Sequence, residues 1–181
     1  MSTFVKKVAG TEYYKIDELR AAGLIPYYVN KGDVYIMINT EIKGKSMQNN
    51  IIGGKVDKYD NIISDTMIRE FNEETGFLVF DKINKLKYDI MKETILLEKP
   101  KYKFSLLKVS YDSDWENLPI LYEKMYKNEE KVLDRESVEI KWVNLFNFKE
   151  TNCTYLLSFA LSKLKNYFRK YDKDNDNLFV D

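Results

Sequence analysis

The sequence predicts a single α/β domain spanning residues 1–181, with helices packed on both sides of a mixed β-sheet. Three observations carry that expectation. Strand-like runs rich in aromatic and β-branched residues alternate with helical segments. The segment 156–171 (LLSFALSKLKNYFRKY) places apolar residues at three-and-four spacing. The segment from about Asn61 to Thr75 does the same and runs into Gly76, a residue suited to a left-handed helix cap.

Taken in order, residues 15–23 (KIDELRAAG) have a short helical look ending at Gly23. Leu24–Val29 and Val34–Asn39 read as two strands joined by a hairpin turn over Asn30-Lys31-Gly32-Asp33. Glu41–Asn50 is a polar stretch leading to Ile51-Ile52-Gly53-Gly54, where the glycine pair suggests a tight turn. After the 61–75 helix, Leu78–Phe80, Lys87–Ile90, Glu93–Leu97 and Tyr102–Tyr111 read as strands. Residues 113–134 hold a helical segment, LYEKMYKNEEKVL, expected on an insertion or loop, and Val138–Val143 alternates as a strand.

Composition narrows the chemistry. Lys plus Arg equals Asp plus Glu, 29 against 29, so the net charge is zero and an anionic partner needs a local patch. There is no histidine, which removes Ser-His-Asp and Cys-His nucleophiles and His-ligated zinc. Polar chemistry then falls to carboxylates, Lys, Arg, Tyr and hard cations such as Mg²⁺. The one cysteine, Cys153, excludes an internal disulfide and reads as a small apolar residue in a helix. No apolar run approaches a membrane span and the first ten residues lack an apolar signal core, so a soluble cytoplasmic protein is expected. The tail DKDNDN begins like a calcium loop but lacks glycine at the sixth position.

The informative stretch is GGKVDKYDNIISDTMIREFNEETGF, residues 53–77. At about 100° per residue, Glu70, Glu73 and Glu74 share one helix face. Arg69 points to the side, and Ser64, Ile68, Phe71 and Thr75 occupy the side that faces a core. Three like charges so close repel unless a metal ion or a basic substrate neutralises them.

This stretch resembles the Nudix box: Gly, five residues, Glu, seven residues, then Arg-Glu-apolar-x-Glu-Glu-x-Gly-apolar. The second half matches without a gap through Arg69, Glu70, Phe71, Glu73, Glu74, Gly76 and Phe77. The first half, counted from Gly54, meets Asp60 where the family has Glu and carries one extra residue before the helix. Asp60 or Asp57 is left for the acidic role, and Ile52 stands where the family often has Pro.

The resemblance implies an α/β/α sandwich around a mixed sheet and hydrolysis of a nucleoside diphosphate linked to another moiety. It implies Mg²⁺ (or Mn²⁺) held by Glu70, Glu73, Glu74 and the Gly54 carbonyl, with Arg69 orienting the glutamates. A proton acceptor is expected in Glu70 or in Glu136, which stands six residues before Trp142; Glu139 is its rival. Capped RNA and diphosphoinositol polyphosphates are alternative substrates. Decapping relatives usually carry Lys where Gly53 sits, whereas LKYDIMKETILLEKPKYKF, rich in Lys and Tyr, suits phosphates and bases. A non-catalytic nucleotide-sensing domain is the reading from another class; such domains typically lose a box glutamate, and all three are present.

Overall fold

The computed structural model describes residues 6–7, 19–85, 90, 95–99, 101–128 and 137–174. Their strands form one mixed eight-stranded sheet. In chain order these are β1 (Lys6–Lys7), β2 (Ala21–Asn30), β3 (Asp33–Lys43), β4 (Ser46–Asn50), β5 (Ile52–Lys55), β6 (Ile95–Lys99), β7 (Tyr102–Lys108) and β8 (Ser137–Asn144). The main path runs β1-β6-β7-β2-β3-β4, with β5 added to β2 and β8 to β3. Only β2 and β7 run parallel; the other ladders are antiparallel.

The hairpin expected at residues 30–33 is present. Lys31 and Gly32 both take positive φ, 50° and 84°, the backbone that a two-residue hairpin turn with right-handed twist requires. From this turn the two strands pair only over Tyr27–Asn30 and Asp33–Ile36. Beyond that point they part. Ala21–Leu24 pairs with β5, while Asn39–Lys43 pairs with β4. The sheet therefore forks, and the fork leaves room between its arms.

Two apolar cores lie on opposite faces of the sheet. On one face α1 (Ile63–Glu74) buries Ile63, Met67, Ile68 and Phe71 against Ala22, Leu24, Met37 and Ile52. The helix α3 (Ser113–Asn128) completes this layer with Trp115, Leu118 and Tyr122. On the other face α4 (Tyr155–Asp174) buries Leu157, Ala160, Leu161 and Leu164 against Ile25, Ile36, Ile38 and Phe104. This is the expected α/β/α layering.

Several expectations are corrected. Residues 21–23 belong to strand β2, so the helical look of KIDELRAAG does not extend through Gly23; residues 15–18 lie outside the described set. The polar stretch 41–50 is a hairpin, with Gly44 at φ 64° between β3 and β4. Leu78 and Val79 lie in the turn after α1, and Phe80 opens the short helix α2 (Phe80–Lys85). Of the run Lys87–Ile90 only Ile90 is described, and it is helical. Gly53 and Gly54 lie within β5 rather than in a turn. Cys153 precedes α4 and bridges to Asn49 instead of lying in a helix.

The largest correction concerns α3. It begins at Ser113, not at LYEKM, and it is part of the core rather than an insertion. The Trp142 indole donates to the Trp115 carbonyl at 3.0 Å, and the Tyr122 hydroxyl donates to the Ser137 carbonyl at 2.7 Å. The helix is thus riveted to β8. Residues 129–134 of the expected segment lie outside the described set. Leu118→Ala should accordingly cost about 2–5 kcal/mol, the range for a fully buried leucine, where an outlying helix would cost almost nothing. Denaturant unfolding of the two proteins measures the difference.

Candidate active site

The fork between β2 and β3 holds a cleft of about 850 Å³. Glu41, Lys43 and Asn50 line it from the β3–β4 arm. Arg20, Gly53 to Val56, Tyr102 and Phe104 line it from the other arm, and α1 contributes Glu70, Glu73 and Glu74. Of the residues expected to act, Gly54, Glu70, Glu73 and Glu74 line this one cleft.

Helix α1 is aimed by local chemistry at both ends. The Asp65 carboxylate accepts from the backbone N–H groups of Asn61 and Ile62, at 3.1 and 3.2 Å, satisfying donors that the first helical turn leaves free. At the other end Gly76, at φ 64°, lets the Phe77 N–H return to the Asn72 carbonyl at 2.8 Å. The left-handed cap expected from sequence is there.

Arg69 does more than point aside. Its guanidinium meets Asp60 through two contacts, 3.2 and 2.9 Å, and donates to the Lys55 carbonyl at 2.8 Å. The same group reaches Glu70 at 2.7 Å and Glu73 at 3.2 Å. A cation therefore does lie between two of the three glutamates. From its place at the side of the helix Arg69 reaches both, because its long flexible side chain extends well beyond its helical azimuth. Between the two candidates for the acidic partner, Asp60 meets Arg69, while Asp57 accepts from the Tyr59 N–H within the loop at 3.0 Å. The Asp60 carboxyl is buried; despite that desolvation, the Arg69 hydrogen bond and those from Asp57 N–H and Thr66 hold it below its ordinary range.

The three glutamates occupy different surroundings. Glu73 is half exposed, at 50%. The Glu70 carboxylate is 14% exposed and rests against the Gly54 backbone, where any Cβ would overlap it. Burial pushes its pKa up, opposed by Arg69 and reinforced by Glu73. Glu74 turns inward and accepts hydrogen bonds from the Asn39 amide and the Ser137 hydroxyl. Burial pushes it up to about 7, with the charges of Glu41 and Glu70 adding to the effect.

Glu41 was not singled out from sequence. Its carboxylate is 3% exposed, accepts from Asn50 at 2.7 Å and lies 3.5 Å from Lys43. The legible signal was an Asn-Thr-Glu run closing an otherwise apolar strand. The two residues proposed near Trp142 fare differently. Glu136 lies outside the described residues, next to Ser137. Glu139 is held by Lys141 at 2.5 Å and Thr40 at 3.0 Å and does not line the cleft.

The donor chemistry suits a divalent cation. Among the described residues the cleft offers hard oxygen donors, chiefly carboxylates, and two of these are held less acidic than usual by burial. Among the described residues, no three acidic side chains converge into a ready-made metal cage. The fit is one of charge and donor type in a shared cleft.

The sequence matches no family model and no curated protein. By structure, the chain is similar to an Ap4A hydrolase from C. elegans in a binary complex, with a TM-score of 0.47 and 18% identity over 84% of this chain and 98% of that one. A second structure of C. elegans Ap4A hydrolase gives 0.43 and 19%, covering 82% and 97%. A NUDIX hydrolase from Nitrosomonas europaea gives 0.43 and 14%, covering 84% and 90%. Likeness at this level leaves the functional argument to the residues themselves.

The glycine pair yields a contrast that can be measured. A Cβ on Gly53 would collide with the Gly23 and Ala22 backbone, which cannot give way, so Gly53→Ala should lower the melting temperature by several degrees. The atoms nearest a Cβ on Gly54 all belong to the Glu70 carboxylate, a side chain that can move, so Gly54→Ala should fold and displace it. Thermal melts separate the two.

Glu74 sets a pH dependence. Its folded pKa of about 7 lies above the ordinary 4.5, so between these values the folded state holds a proton that the unfolded state releases. In EDTA, stability should therefore fall as pH rises through this window. Glu74→Gln should flatten the slope, and a divalent cation should restore stability at pH 8. Melting curves across pH with and without Mg²⁺ test all three.

Proposed function

We propose that this chain is a Nudix-type pyrophosphohydrolase that cuts the phosphoanhydride bond of a nucleoside diphosphate linked to another moiety. The observation that carries the reading is the placement of Glu70, Glu73 and Glu74 in the sheet fork, with Arg69 gripping two of them and Asp60. A merely solvated acidic helix face has no reason to turn one carboxylate inward onto Asn39 and Ser137. Nor would it need glycine opposite another.

Glu70, Glu73, Glu74 and the Gly54 carbonyl would hold Mg²⁺ (or Mn²⁺). When bound, the cation would neutralise the diphosphate and lower the pKa of the attacking water. The chain's own part is orientation and proton transfer. Arg69, locked to Asp60 and the Lys55 carbonyl, fixes Glu70 and Glu73 on the cleft wall. Glu70, raised by burial, is suited to take a proton from water, with Glu136 as the other acceptor of the same role. Lys43, Lys55 and Arg20 supply cations along the same cleft for the remaining phosphate charge. Gly53 closes the position where a decapping relative would carry Lys, which favours a small nucleotide over capped RNA.

Hydrolysis should require a divalent cation and stop in EDTA. Glu73→Gln and Glu74→Gln should each lose most of the turnover while keeping the fold, because removing charge from a crowded acidic cleft relieves repulsion. Full activity of either folded variant would mean that the glutamates are not the centre. Small nucleotides and capped RNA are distinguished by salt. A small-nucleotide reaction should change little between about 50 and 200 mM, whereas RNA held by several phosphate contacts should weaken by roughly one power of salt per contact. Cap release faster than hydrolysis of every small nucleotide, and collapsing with salt, would reverse the substrate choice.

A further inference from the structure

We propose that Asn39 and Ser137 are positioning residues that hold the Glu74 carboxylate in the cleft from outside its own helix. The inference rests on the metal-dependent reading above and extends it to two strands far from the glutamate motif in sequence. Asn39 lies on β3 and Ser137 opens β8; they are 0% and 2% exposed. Both donate to the same oxygen of Glu74, and the Asn39 amide also donates to the Ser137 hydroxyl at 2.6 Å.

The direction of these bonds fixes the roles. An ionised carboxylate only accepts, so the Ser137 hydroxyl must spend its one hydrogen on Glu74 and take the Asn39 amide hydrogen on its lone pair. The Asn39 amide also faces Glu41 at 3.4 Å, while its carbonyl oxygen is buried without a hydrogen-bond partner. The carboxamide is thus oriented by the surrounding acceptors, two of which are cleft carboxylates. Ser137 is itself anchored through its backbone, since Tyr122 bonds its carbonyl. Neither residue needs its side chain for the β3–β8 ladder, which is made by the main chain.

Glu73 and Glu74 are neighbours on one helix, yet only Glu74 has such a grip. A ligand carboxylate whose second contact is fixed keeps one oxygen committed and presents the other, which reduces the freedom lost on binding a cation.

The test uses the full chain with Mn²⁺ as the probe, its binding read from the free-ion EPR signal. Ser137→Ala removes the hydroxyl but leaves the carbonyl that Tyr122 holds; Asn39→Leu keeps the volume without the donor. Each folded variant should bind Mn²⁺ about tenfold more weakly, within the range seen when a ligand's supporting hydrogen bond is lost. The Mn²⁺ concentration for half-maximal hydrolysis should rise in step, without a matching rise in KM for the nucleotide. Ser137→Thr, which returns a hydroxyl, should recover affinity. If Asn39→Leu does not fold, the Ser137 pair decides. Wild-type Mn²⁺ affinity in folded Ser137→Ala, or a loss that Ser137→Thr leaves unrepaired, overturns the positioning role while the hydrolase reading stands. A wild-type protein that neither binds Mn²⁺ nor hydrolyses a phosphoanhydride in its presence overturns both.

Discussion

The Arg69 guanidinium is the contact on which the arrangement of the cleft depends. It ties the loop through Asp60, strand β5 through the Lys55 carbonyl, and helix α1 through Glu70 and Glu73. No other residue type offers enough donors in a fixed planar fork to serve all of these at once. A lysine would present a single point charge and leave the loop or the strand without its bond. Because Asp60 also takes the Thr66 hydroxyl at 2.8 Å, the loop closes onto the first turns of the same helix. Asp60 thus reaches Arg69 from this loop with a shorter side chain than glutamate.

Around that contact the protein gathers carboxylates and removes them from water. Glu41 comes from strand β3 and Glu70 and Glu74 from helix α1, and each loses water. Hydrogen bonds from Asn39, Asn50 and Ser137 offset part of the cost. Burial still outweighs them at Glu74, whose proton affinity rises. The fork makes this possible. Where β2 and β3 stay paired, the interior is apolar: Tyr28, Val34 and Ile36 are all buried. The buried polar side chains of β3, Asn39, Thr40 and Glu41, lie where it has left β2.

Much of the frame was readable in one dimension. The α1 helix, its Gly76 cap, the hairpin at Lys31-Gly32 and the amphipathic α4 are dictated by residues close together, through backbone preference and period. The errors fall where local pattern is weak or ambiguous. Leu78 and Val79 are branched or apolar residues that read as strand, but Gly76 and Phe77 both take positive φ and turn the chain into α2. Gly53 and Gly54 suggested a turn. They are glycines because a neighbouring backbone and a carboxylate come too close for any side chain, a fact of pairing between β5, β2 and α1.

By itself the sequence determined the helix that carries Glu70, Glu73 and Glu74, its caps, and a chemistry restricted to carboxylates and cations, because spacing on a helix and the absence of histidine need no partner to be read. Tertiary structure decided which neighbours those carboxylates meet. Asn39 and Ser137 reach Glu74 across 35 and 63 residues of chain through the β3–β8 pairing, and helix α3 earns its place through Trp115 and Tyr122. Contacts of that range depend on strand register and on where two strands separate. Neither is written in the local period of the chain.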